Sequence, residues 1–218
     1  MTYSRTPTIG LIGLVLGLAV LAESSAPPAG ASVRGLPEQN PDWPCVQRLV
    51  PKVAPGMIWT GPPIESVDRA ERAPKIEELA SGLAARRVPI EDARQRVGAF
   101  AETVDPADRD EALTGLFAET LEIINRDRAS IIAGIKRFAR QQRGLSEEIE
   151  RIDAALRELA GDGTGEQQAR QATLEEQRRW SVRIFDEREA SLTYLCEQPV
   201  LLEQRAFALA REIAGHLN

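Results

Sequence analysis

The chain has 218 residues, with 27 Lys and Arg against 33 Asp and Glu and a formal net charge of −6. A mildly acidic chain with both signs interspersed lacks the basic stripe that nucleic acid selects, which argues against nucleic acid as a partner. Aromatic residues make up only 5% while Ala, Leu, Glu, Arg and Gln abound, a composition that points to an all-α fold of helices burying narrow seams.

The first element is "MTYSRTPTIGLIGLVLGLAVLAESSAPPAGAS". Arg5 precedes an apolar run over 9–22, which gives way to small residues and prolines. That order is expected of a secretory signal peptide over 1–31, with cleavage after Ala22 or after Ala31. The run is short of the roughly 20 residues that cross a bilayer comfortably. An uncleaved signal anchor is the alternative. No cysteine closes the run, which argues against a lipid anchor. The mature chain is therefore expected in the periplasm or secreted, with no stable membrane span. Removing residues 1–31 takes away Arg5 and Glu23 together, so the net charge stays at −6.

Residues 32–74 are rich in proline and glycine, which forbids a helix of more than a turn or two. Trp43, Val46, Leu49, Val50, Val53, Met57, Ile58 and Trp59 nevertheless supply apolar side chains. The segment reads as an extended arm that packs onto something else, with a flexible linker as the alternative. Two short helices follow within 75–104, over 75–87 and 90–104, broken at Pro89. Ile76, Leu79 and Leu83 recur at helical spacing in the first, and Ala93, Val97, Phe100 and Ala101 in the second.

Residues 105–218 read as a long antiparallel helical hairpin of coiled-coil type. Asp105-Pro106 is a favoured helix opening. Apolar positions recur at threes and fours, or their sums, through Leu113, Phe117, Ile124, Ile131, Ile135, Phe138, Leu145, Ile149, Ile152, Leu156 and Leu159. "GDGTG" at 161–165 makes the turn. A second helix over 166–216 carries a seam of Leu174, Ile184, Leu192, Leu195, Leu202, Leu209, Ile213 and Leu217. So short a connection requires the two helices to run antiparallel.

Within the second helix, "TYLCEQPVLLEQR" sets Cys196 three residues before Pro199. The other cysteine is Cys45, in the arm. Two cysteines in an exported chain favour a Cys45–Cys196 disulfide, two separate thiols being the alternative. Pro199 leaves the Leu195 carbonyl without its helical donor and is expected to kink the helix, giving the arm room to dock. Trp43, Val46 and Tyr194 are expected to pack around the bridge.

The catalytic inventory is thin, and no catalytic residue is assigned. His216 is the only histidine and is expected to be a solvated side chain at a fraying end. No histidine–cysteine cluster has metal spacing, and no phosphate-loop, dinucleotide or nucleophile-elbow fingerprint occurs. "DGTG" lacks the alternating Asp and closing Glu of a calcium loop. No metal and no cofactor are expected. Arg128 is a polar seam residue, placed level with Gln198 and close to Glu197. Arg128, Glu197 and Tyr194 therefore form a candidate polar-seam or ligand site, the seam role fixing register. Trp180, Phe185 and Tyr194 are read as core or arm-docking positions.

A long surface with little catalytic chemistry fits an exported non-enzymatic protein that binds, scaffolds or chaperones in the cell envelope. Its partner would be another envelope protein. Apolar flanks at Ile123, Ile132 and Leu201 make a homodimer a further candidate. The alternative is an accessory factor that binds a small molecule or metal where the arm crosses the hairpin. Intact-mass measurement of exported protein is expected to give a chain starting at Glu23 or Ser32; a mature chain still starting at Met1 refutes cleavage.

Overall fold

The computed structural model describes residues 40–66, 74–161 and 163–218. The expected signal segment at 1–31, the stretches 32–39 and 67–73 of the expected arm, and Asp162 of the expected turn lie outside the described residues. Among the described residues there is no strand, and the helices are α1 Pro74–Ala84, α2 Ile90–Thr103, α3 Arg109–Glu158, α4 Gly165–Glu189 and α5 Leu192–Ala214. None of them is long and apolar enough to cross a membrane.

The core is built by residues at matching helical intervals. Ile76, Ala80, Leu83 and Ala84 of α1 are buried, as are Ala93, Val97, Phe100 and Ala101 of α2, each set at the i, i+4, i+7, i+8 spacing of one helix face. They meet Leu113, Leu116, Phe117, Leu121 and Ile124 of α3 and Leu202, Ala206, Leu209 and Ile213 of α5 in one cluster. α1 stops at Ala84, earlier than its own sequence predicts. Its end is capped from α5, where the buried Arg205 donates from Nε to the Leu83 carbonyl (2.6 Å) and from a terminal nitrogen to the Val88 carbonyl (2.8 Å). A cation on terminal helix carbonyls also meets the negative end of the helix dipole.

α3 starts later than predicted. The Asp105 carboxylate accepts from the Ala107 N–H (2.9 Å) and its carbonyl accepts from the Asp108 N–H (3.0 Å), so Asp105-Pro106 makes a turn and the helix opens at Arg109. With 50 residues, α3 extends on the order of 75 Å. Burial along it is uneven. Between Leu113 and Ile135 its inner face is closed by helices on several sides, whereas Leu145, Ile149, Leu156 and Leu159 are only half-buried. Beside this outer half runs α4, none of whose residues is buried. Ile184, expected on the seam, is 43% exposed, and Trp180 is 57% exposed. Two helices side by side shield each other on one flank only, and no third helix covers the remainder here. Only the outer half of α3 is thus in a two-helix arrangement; its inner half belongs to a multi-helix core.

α4 opens at Thr164, whose backbone N–H is accepted by the Gln167 side chain (2.7 Å), one arm of a capping box. α4 and α5 are two segments of one bent helix, and the bend is not where the sequence places it. Helix continues through Pro199, while the interruption falls at Ala190 and Ser191, both still in the right-handed helical region. The Ser191 hydroxyl donates to the Glu187 carbonyl (3.2 Å) and its N–H reaches only the Arg188 carbonyl, three residues back (3.0 Å). Such back-bonding with a tightened turn bends a helix. The contacts of α4 and α5 on α3 rise in number on one side and fall on the other: Asp153 with Arg178, Gln142 with Phe185, Arg128 with Pro199.

Residues 40–66 contain two short 3-10 turns, Pro55–Met57 and Ile64–Ser66, and no α-helix. The Trp59 ring stacks on Phe117 with centroids 4.1 Å apart and planes 6° from parallel, and its indole N–H donates to the Pro62 carbonyl (2.7 Å). A Cβ at Gly61 would collide with the Trp59 ring and with Leu217 at 2.7 Å, so the chain needs glycine there. Val53 is 2% exposed, and one side chain of α3 serves both of its peptide groups. Asn125 Oδ1 accepts from the Val53 N–H (2.8 Å) and Asn125 Nδ2 donates to the Val53 carbonyl (3.0 Å). Asn125→Ala leaves both groups buried and unpaired. Since each unmade buried hydrogen bond costs about 1–3 kcal/mol, urea unfolding of this variant should show a loss of at least about 2 kcal/mol.

Candidate functional site

The densest polar chemistry lies where residues 40–66 cross α3 and α5. Cys45 and Cys196 stand at disulfide distance, with Cα atoms 5.6 Å apart across 151 positions of sequence. Both are buried, and Ile135, Ile131, Leu192, Leu195 and Trp43 pack around them. Of the three residues expected around the bridge, Trp43 alone is there. Val46 is 99% exposed, because the chain bends at Val46 and Gln47 just beyond the bridge, where the Trp43 indole N–H donates back to the Gln47 carbonyl (2.7 Å). Tyr194 is 66% exposed, lying two residues and thus about 200° round the helix from Cys196.

Arg128 joins three pieces of the chain. It is 2% exposed; its Nε donates to the Pro199 carbonyl (3.2 Å) and its Nη2 to the Val50 carbonyl (3.2 Å) and the Glu203 carboxylate (3.4 Å). Burial pulls its pKa down and Glu203 pulls it up. The guanidinium keeps its charge, as arginine does throughout the physiological range. The candidate trio of Arg128, Glu197 and Tyr194 is not brought together, since Glu197 and Tyr194 are both exposed. Glu203 takes the place expected of Glu197 because it lies seven residues, two full turns, beyond Cys196 and so shares its face. Gln198 turns inward and accepts from Arg86, while its amide nitrogen donates to the Tyr194 carbonyl (3.1 Å).

Farther out, Asp42 bridges to Arg140 (2.6 Å) and Arg143, and Arg143 also donates to the Pro41 carbonyl (3.0 Å). The bond to Arg143 and then the bond to Arg140 hold the Asp42 carboxyl below its usual range. The contribution of this contact is therefore complete above the ordinary carboxylate range and is lost as pH falls through the lowered value. The sequence offered little signal for Asp42 or Arg205. Arg128 is expected on the seam beside Gln198 and Glu197, and its partners are instead Pro199, Val50 and Glu203.

Among the described residues, three clefts stand out on the surface. One of about 380 Å³ adjoins this crossing and is lined by Pro44, Phe138, Gln142 and Phe185 among others. A second, of about 560 Å³, lies between Met57 and Phe207, with Trp59 and Arg211 in its walls. The third, of about 660 Å³, lies between α1 and α2, where Lys75, Arg87 and Arg96 line it with Glu78 and Phe100. Phe185 is half-buried in the first cleft while Trp180 and Tyr194 face out, so two of the three aromatics expected in the core or at the arm lie open instead.

His216 is half-buried and stands 3.3 Å from Glu212. The expected fraying is corrected here. The Asn218 N–H donates to Asp110 and its amide to the Pro106 carbonyl, both at 2.9 Å, which ties this end to the start of α3. Among the described residues no group of three His, Cys, Asp or Glu is placed to hold a metal. Set against protein-family models, curated proteins and solved structures, the chain matches none.

Cys196→Ser removes a crosslink that closes a loop of about 150 residues and should cost about 2–5 kcal/mol. Circular dichroism should show most helicity retained, because α3 to α5 do not need the crosslink to pack. Non-reducing peptide mapping of the native protein should yield a Cys45–Cys196 linked peptide. Collapse of all helicity in the variant would place residues 40–66 inside the cooperative core.

Proposed function

We propose that the chain is an exported, non-enzymatic protein in which α3 and the bent α4–α5 form a helical hairpin. A proline-rich arm, stapled to it through Cys45 and Cys196, completes a binding, scaffolding or chaperone-like module of the cell envelope. The observation that carries this is the cleft between residues 40–66 and α5. Met57 is 66% exposed and Phe207 46% exposed, and both line the same groove with Trp59. Arg211 lies over the Phe207 ring at 5.8 Å to its centroid. Methionine, aromatic and arginine side chains gathered in one concave, water-exposed site are the residue types that anchor protein partners. The partner is another envelope protein presenting an apolar segment, and a second copy of this chain is the competing occupant.

A photo-crosslinking amino acid at position 57 tests this in the native envelope. It should capture one discrete partner, while the same group at position 158, at the end of α3, should not. Phe207→Glu should abolish capture without lowering the melting temperature by more than a few degrees. Crosslinking of the purified protein to itself identifies the homodimer, and capture that is indifferent to Phe207→Glu refutes the groove. A second reading, a small-molecule accessory factor, is favoured by the cleft beside Gln142, where the arm crosses the hairpin.

A further inference from the structure

The cleft between α1 and α2 has a volume of about 660 Å³, within the range of small-molecule sites. Lys75, Glu78, Leu79 and Gly82 reach it from α1 at the i, i+3, i+4, i+7 spacing of one helix face. Arg96, Phe100 and Thr103 reach it from α2 in the same way, and Arg87 from the link between the helices. Lys75, Arg87 and Arg96 are all exposed, so their charges are met directly from solvent. The Lys75 ammonium stands 5.9 Å from the Phe100 ring centroid, a contact that holds it at the cleft. Gly82 makes room for Arg96, since a Cβ there would come within 3.3 Å of the Arg96 Nη1, closer than ordinary contact.

Several arginines elsewhere meet carboxylates: Arg94 meets Glu91, Arg140 and Arg143 share Asp42, and Arg178 meets Asp153. Among the described residues no carboxylate pairs with Lys75, Arg87 or Arg96, although Glu78 lines the same cleft. Three cations less one carboxylate leave the cleft a formal charge of +2, in a chain whose net charge is −6. A cleft lined mainly by one sign of charge focuses its field and concentrates the opposite charge. Guanidinium matches phosphate oxygens with two parallel donors, and a phosphate monoester carries close to two negative charges at neutral pH. Glu78, set among the cations, repels an extended polyanion but accepts from a hydroxyl, as the Ser81 oxygen also can. Thr103 keeps acceptor capacity too, its own proton being given to the Phe100 carbonyl (2.7 Å).

We propose that this cleft binds a soluble phosphate monoester with a hydroxylated body, that is, a sugar phosphate. Its phosphoryl group meets Lys75, Arg87 and Arg96, and its hydroxyls donate to Glu78. Calorimetric titration of the purified, oxidised protein with glucose 6-phosphate should give one-to-one binding. Glucose 6-sulfate, of similar shape but with a single charge, should bind about tenfold more weakly, and glucose not measurably.

Arg87→Gln and Arg96→Gln should each weaken glucose 6-phosphate about tenfold while leaving the melting temperature unchanged, because both side chains are exposed. Glu78→Leu should tighten inorganic phosphate, by removing a like charge, and narrow the margin by which glucose 6-phosphate exceeds it. Vesicles carrying phosphatidic acid, a monoester without hydroxyls, should not retain the protein. The proposal is overturned if glucose 6-phosphate fails to bind, if the sulfate binds as well, or if neither arginine variant weakens binding. It is equally overturned if Glu78→Leu leaves the margin as it was, or if the vesicles retain the protein in place of the sugar phosphate. The groove at Met57 and Phe207 shares no residue with this cleft, so crosslinking from position 57 is a separate readout and failure here leaves the protein-binding groove standing.

Discussion

A segment with neither α-helix nor strand must find partners outside itself for the peptide groups it buries, and at Val53 both come from Asn125. The side-chain amide carries a donor and an acceptor side by side and so stands in for the peptide of a neighbouring strand. Much else depends on this constraint. Once Val53 is seated on α3, Trp59 can stack on Phe117, Val50 can present its carbonyl to Arg128, and Cys45 comes within reach of Cys196. Without those partners the prolines would leave this part of the chain no means of crossing an apolar core.

Buried cations take the corresponding role for helix ends and crossings. Arg128 and Arg205 are both nearly inaccessible, and each donates to two backbone carbonyls. Only Arg128 has a carboxylate within reach, at Glu203, and burial depresses both pKa values. Guanidinium suits these places because it presents several donors in a fixed plane and carries weaker hydration than an ammonium. Each joins parts of the chain far apart in sequence: α1 with α5 at Arg205, and residues 40–66 with α3 and α5 at Arg128. A lysine carries its three donors on a single nitrogen and lacks that planar spread.

The bend at Ser191 connects this architecture to its surfaces. A straight helix would carry Phe185 and Leu192 along one line against α3. The bend instead leaves a gap that Pro41 and Pro44 approach from the other side, and Gln142 lies in its wall. Beyond the bend α4 departs from the core, with Trp180 and Ile184 uncovered. Of the two clefts that residues 40–66 help to build, the one at Met57 and Phe207 lies on the multi-helix part of the molecule, and the one at Gln142 lies where α4 departs from it.

Helical periodicity alone yields an all-α chain with breaks near Pro89 and 161–165, and it identifies most of the inner face from Ile76 to Ile213, because burying one face of a helix requires apolar residues every three or four positions. Cysteine count in a chain expected to be exported singles out Cys45 and Cys196 for the same kind of reason, there being one pairing to make. Other features lie outside what apolar periodicity encodes, some set by neighbours remote in sequence and some by local hydrogen bonds that compete with the helix. The end of α1 is set by Arg205, and the opening of α3 by competition between a turn and a cap at Asp105. The bend falls at Ser191 and not at Pro199, because a hydroxyl back-bonded to Glu187 interrupts the hydrogen-bond ladder there, whereas around Pro199 the helix is packed on both sides and stays whole. The seam of α4 reads as apolar in sequence and lies open in space, since periodicity records which side chains could be buried and only the packed chain supplies something to bury them against.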